Sequence, residues 1–254
     1  MLENRLDIRN YMKKLHKLAN PGKFYRLSEK ILPWSNLLAI SLCALGLYLG
    51  LFIAPPDYQQ GESVRIIYVH VPAATLASFV YAIMAVASAI SFIWKNPLGN
   101  FIAKSAAPIG AVFTIIAIIT GALWGKPTWG TWWIWDARLT SVLILFFLYL
   151  GYIAIWQVFE DQNKAAKAAA IIAIVGAINL PIIRFSVDWW NTLHQGASII
   201  RLDGPSIHQD ILIPLIFMWL GFLSYLISLL IIRIQSEITL QKIRAIQILI
   251  SEQK

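Results

Sequence analysis

Six apolar runs dominate this chain and limit its fold more than any other feature. They lie near residues 34–54, 70–94, 105–124, 139–159, 166–185 and 209–233. Each suffices, at about 1.5 Å per helical residue, to cross a hydrocarbon core of roughly 30 Å. A chain of 254 residues that is 58% hydrophobic and 13% charged also has too little polar surface to cover a soluble globule. The runs are continuously apolar rather than alternating, and a bilayer-spanning sheet would have to close into a barrel. The expectation is an all-α integral membrane protein with six transmembrane helices.

Lys and Arg fall on one side of this plan. Eight lie before the first run, between Arg5 and Lys30; Lys95 and Lys104 flank the second loop, Lys164 and Lys167 the fourth, and four more follow in the tail from Arg233 to Lys254. Basic loops resist translocation, so both termini are expected on the cytoplasmic (or matrix) side. The organisation that follows is a basic segment 1–33, a membrane domain 34–233 with outer loops at 124–138 and 186–208, and a tail 234–254. No cleavable leader is expected in the polar N-terminal stretch. The net charge of +8 then signals topology and contact with anionic lipid, not nucleic-acid binding. Cys43, the one cysteine, lies in the first run, so no internal disulfide can form.

The third loop reads Trp124-Gly-Lys-Pro-Thr-Trp129-Gly-Thr-Trp132-Trp133-Ile-Trp135-Asp136-Ala-Arg138, and the fifth opens with Asp188-Trp189-Trp190. Seven of the eleven tryptophans thus lie on one side. An aromatic belt would occupy both interfaces. Several indoles on a loop broken by Gly125, Pro127 and Gly130 suit a large, flat, apolar ligand, because aromatic faces stack on it and glycines let the backbone come close. A porphyrin fits; a quinone or sterol would fit the platform nearly as well.

The histidines bear on that choice. His70 stands where the first outer loop enters the second run, and His194 follows the Trp189-Trp190 pair, so both are expected on the tryptophan side and could ligate a haem iron on its two faces. His208 is a competing ligand or a propionate contact, and His16 falls in the basic N-terminal segment with no assignable role. Asp136 looks like the cap of the fourth helix. Arg138 could snorkel to the interface or pair with a propionate, and the sequence leaves both open. There is no Cys-x-x-Cys-His, so any haem is held by ligation and contact.

The run Trp129-Gly-Thr-Trp-Trp-Ile-Trp-Asp136-Ala-Arg-Leu-Thr-Ser141 resembles the "WWD" signature of the haem-handling proteins of cytochrome c biogenesis. The six-span length, Arg65-Ile-Ile-Tyr-Val-His70-Val-Pro-Ala-Ala74 and Trp189-Trp-Asn-Thr-Leu-His-Gln-Gly-Ala-Ser198 are similar to the CcmC family within it. The resemblance covers nearly the whole chain. It implies haem b bound at the outer face of an inner membrane, bacterial or mitochondrial, with His70 and His194 as axial ligands. It also implies a platform of Trp124, Trp129, Trp132, Trp133, Trp135, Asp136, Arg138, Trp189 and Trp190 that meets the porphyrin and the haem chaperone CcmE. The further partners it implies are the ABC-type subunits CcmA and CcmB and the small subunit CcmD; nothing in the chain itself resembles a nucleotide-binding loop.

Two other readings use the same residues. A haem-transporting channel would run through the helices, but the six runs hold almost no ionisable residue away from their ends. A quinone- or metal-dependent oxidoreductase would use the two histidines with Asp136 or Asp188, though a bis-histidine site without thiolate is the haem pattern.

Overall fold

A computed structural model describes residues 20–190, 192–194, 196, 198, 199, 201 and 203–252. Arg5 to Lys17, with His16, lie outside them. Among the described residues, seven α-helices make six spans: α1 (Pro21–Tyr48), α2 (Ile67–Trp94), α3 (Pro97–Trp129), α4 (Ala137–Val158), α5 (Gln162–Gly176), α6 (Asn179–Trp189) and α7 (Gln209–Glu252). All six spans are long and apolar enough to cross a membrane, and no strand occurs among the described residues. The all-α, six-span architecture expected from the apolar runs is the one observed.

Side-chain caps set most of the helix starts. Asn20 and Asn96, each followed by proline, accept from the first free backbone N–H groups of α1 and α3; Asp136 and Asp161 do the same for α4 and α5. These signals lie outside the apolar runs, so the helices outlast them. α1 begins at Pro21, well before Trp34, and α7 continues through the tail to Glu252, about 66 Å at the usual rise.

Two expectations are corrected. The sequence predicts a loop over 124–138, yet Trp124 to Trp129 form the last turns of α3 despite Gly125 and Pro127. The Thr128 hydroxyl donates to the Trp124 carbonyl, Gly130 at φ 78° accepts the left-handed turn that ends the helix, and only 130–136 is loop. The fifth span is also not one helix. It breaks at Ala177–Ile178, where Pro181 lacks the N–H that would bond the Ala177 carbonyl, and Leu180 supplies a donor instead. The break turns Asn179 inward, where its buried amide donates to the Ser141 carbonyl of α4 at 2.8 Å.

Small residues bring the helices together, since lipid gives apolar helices little reason to associate and close backbone approach must do so. α2 and α3 form the most extensive pair, and α1 lies along α7. Ala103, Ala107, Gly110, Thr114 and Ala117 run along one side of α3 and are buried with Ala73, Ala77 and Val80 of α2. Into the seam, Tyr149 of α4 donates to the Ala77 carbonyl at 2.8 Å, and Tyr81 donates to the Ile172 carbonyl at 3.2 Å; the two rings meet edge to face. The middle of the bundle is therefore filled, and both tyrosine hydroxyls in the seam are hydrogen-bonded. At the end carrying the second and fourth loops, Lys104 pairs with Glu237 at 2.8 Å and lies over the Trp156 ring.

Candidate ligand cavity

At the opposite end, where the first, third and fifth loops gather, the helices splay around a cavity of about 520 Å³. That size falls among small-molecule and cofactor sites, roughly 300–1,000 Å³. Its walls come from α2, α3, α4 and α6, with Gln60 and Trp133 from loops and His194, Gly196, Ser198 and Ile199 at the rim.

His70 sits in the first turn of α2 and lines this cavity. Its Nδ1 lies 3.0 Å from the Thr120 hydroxyl of α3, and its ring meets Trp124 edge to face, centroids 5.6 Å apart. Trp124 is held in turn, because its indole N–H donates to the Gln60 side chain at 2.7 Å. A tight loop places Gln60: Asp57 accepts from the backbone of Gln59 and Gln60 and closes against Gly61 at φ 57°.

His194 reaches the cavity from the fifth loop and lies against Trp129, centroids 4.9 Å apart. Behind it stands Asp136. One carboxylate oxygen caps α4 through the Leu139 N–H at 2.7 Å; the other is buried, without a hydrogen bond, 3.7 Å from His194 Nδ1, which is likewise buried and unbonded. Burial first, then the Arg138 guanidinium, holds the His194 imidazole below the ordinary histidine range, against the pull of the Asp136 carboxylate. His194 is therefore neutral near pH 7, the form that ligates.

The sequence leaves the setting of Arg138 open, and the structure gives it two partners. It lines the cavity and ties α4 to α6, donating to the Ser186 hydroxyl and the Arg184 carbonyl. Arg184 lines the same wall, so two arginines border one side of a largely apolar chamber, the Arg184 guanidinium lying over the Phe185 ring.

The expected platform divides. Trp124, Trp129 and Trp133 line the cavity, and the Trp133 indole N–H is buried with no partner. Trp132, Trp135, Trp189 and Trp190 do not line it and are half or more exposed. Among these, Trp189 stacks on Phe185 and meets Trp190 edge-on, while Lys126 lies over Trp132. His208 is also apart from the cavity: it is exposed, and its backbone carbonyl starts α7 by accepting from Ile211 and Leu212. Gln60, Thr120 and Arg184 belong to the site without a motif that marked them. The one available signal was the spacing Ala117, Thr120/Gly121, Trp124, a single helix face.

Six apolar spans with a cavity walled by histidine and tryptophan at one end define a ligand-holding membrane protein. The model of the CcmC family, described as "Heme exporter protein C", matches residues 14–249. "Heme exporter protein C" of Bradyrhizobium diazoefficiens is 50% identical over 232 residues, 91% of this chain and 88% of that one. Its counterpart in Escherichia coli K12 is 47% identical over 91% of this chain and 94% of its own length. A ccmC-like mitochondrial protein of cytochrome c biosynthesis from Marchantia polymorpha is 51% identical over 181 residues, 71% of this chain and 76% of its own. This chain belongs to the CcmC family.

Proposed function

We propose that this protein handles haem for cytochrome c maturation, holding haem b in the cavity between His70 and His194 and presenting it to the haem chaperone CcmE. The observation that carries this reading is that two histidines from distant segments line one tryptophan-walled cavity. Family membership supports haem as the cargo, since the relatives are named heme exporter proteins.

The residues present fit a haem. The chamber is largely apolar, as a porphyrin face requires, and Trp124 and Trp129 each flank one histidine. Arg138 and Arg184 on one wall suit two carboxylates, because a guanidinium fork pairs with a propionate through parallel hydrogen bonds. Bis-imidazole ligation would supply a six-coordinate iron. The protein's own part is to present two imidazole nitrogens, exclude water from the faces and hold the carboxylates at the rim.

Orientation follows from the basic residues: the termini and the Lys104–Glu237 end face the cytoplasm or matrix, and the cavity faces outward from an inner membrane. Trp132, Trp135, Trp189 and Trp190 then stand exposed around the mouth, where CcmE would dock. CcmA and CcmB provide the nucleotide-driven step, and the small subunit CcmD completes the assembly. Delivery is favoured over a conduit because the mid-bundle is packed shut around Tyr81 and Tyr149.

The test is the optical spectrum of the detergent-purified protein beside His70→Ala and His194→Ala. The wild type is expected to show a low-spin bis-imidazole pattern, and each variant to lose haem or turn high-spin. Haem absent from all three, or unchanged in both variants, overturns the ligand assignment.

A further inference from the structure

The hydrogen bond behind His70 has a direction. Thr120 stands in mid-helix, and its Oγ1 lies 2.6 Å from the Ile116 carbonyl oxygen one turn back. Two oxygens that close require a hydrogen between them, and a carbonyl has none, so the single hydroxyl proton of Thr120 points at Ile116. The hydroxyl is thus an acceptor toward its other neighbour, His70 Nδ1 at 3.0 Å, and a neutral His70 must donate there. Nε2 carries the lone pair. The hydrogen bond to Thr120 is made at Nδ1, and the ring lines the cavity.

The rest of this α3 face holds the ring in that pose. Gly121 lies beneath it, where a Cβ would come within 3.0 Å of the imidazole Cε1, and Trp124 closes one edge. Thr120, Gly121 and Trp124 follow at helical spacing, so one face supplies the hydrogen bond, the clearance and the wall.

We propose that Thr120 is a positioning residue for iron binding: it fixes His70 as the Nδ1–H tautomer and so presents Nε2 to the iron. The iron-binding half rests on the reading of His70 as a haem ligand; the tautomer half does not. A partner of this kind restricts a ligating imidazole to one tautomer and orientation, and its loss typically weakens metal affinity about 10–100-fold.

Two readouts on the full-length protein in detergent test this. The first needs no haem: nitrogen-15 NMR of histidine-labelled protein, with His70 assigned by difference against His70→Ala, distinguishes Nδ1–H from Nε2–H directly. Wild type and Thr120→Ser are expected to hold Nδ1–H, and Thr120→Val, which keeps the shape but not the hydroxyl, to lose that preference. An Nε2–H His70 in the wild type, or an unchanged tautomer in Thr120→Val, overturns the proposal. The second is titration with haem b. Thr120→Val is expected to bind about 10–100-fold more weakly, Thr120→Ser near wild type, and Thr120→Val to add nothing in the His70→Ala background. Equal weakening with and without His70 makes Thr120 a merely structural residue and overturns its positioning role. If the tautomer behaves as expected but no form binds haem, the ligand reading falls while the tautomer assignment stands.

Discussion

Asp136 divides its two oxygens between two tasks. One starts α4 and the other faces His194, and the tasks separate by substitution. Asp136→Asn keeps an oxygen for the cap, so its melting temperature should stay close to wild type, whereas Asp136→Ala should lose about 1 kcal/mol. The charge shows in pH dependence. Burial holds His194 below about 6.5, and a protonated imidazole cannot ligate, so bound haem should be stable through neutral pH and lost only as pH falls below that value. Because the Asp136 carboxylate raises the His194 pKa, Asp136→Asn should move the loss to lower pH, read from the Soret band in an acid titration; a shift to higher pH would contradict the arrangement. His70, His194 and the tryptophans stand out in the sequence because they cluster in and beside the outer loops instead of being scattered along the apolar runs. Thr120 and Gln60 did not, because a threonine in an apolar run and a glutamine in a loop are ordinary until the fold sets each against its partner.

At the scale of the helix, the packing of α3 against α4 turns on Gly110. A Cβ there would fall 2.0 Å from Tyr149 Cζ, inside a ring whose hydroxyl is already committed to Ala77. Gly110→Ala should therefore destabilise the bundle by about 1–3 kcal/mol in an SDS-unfolding titration. Tyr149→Leu, which withdraws the colliding ring, should recover part of the loss when combined with it. If the two losses simply add, the clash is not what carries the cost. The helix ends teach a related lesson. Asn20-Pro21, Asn96-Pro97 and Asp161 are cap signals that can be read in the sequence, but an apolarity window stops short of them. The break between α5 and α6 escaped that window because Asn179 and Pro181 sit in an otherwise apolar run, and only the buried bond to Ser141 gives the break a use.

For the whole molecule, the one-sided basic residues make a prediction about which end faces out. With Cys43 replaced by serine, Tyr58→Cys in the first loop and Ser206→Cys in the fifth should label with a membrane-impermeant maleimide in intact cells. Lys95→Cys and Gln162→Cys should label only after lysis; the reverse pattern would invert the assigned topology and turn the cavity inward. Orientation thus belongs to what the sequence determined alone. The number of spans, their helical nature, the gathering of tryptophan and histidine at one end and the family signature are all local or compositional, because the bilayer imposes length and apolarity on each span separately. Tertiary structure alone decided which of those residues share a cavity. Trp124, Trp129 and Trp133 line it while Trp132, Trp135, Trp189 and Trp190 face away, Arg138 bridges two helices, and Thr120 meets a histidine fifty residues earlier in the chain. The physical reason is that facing depends on helix rotation and on where a helix ends or breaks. Those are set by close packing of small residues and by single capping bonds between segments far apart in sequence, which no apolar period records.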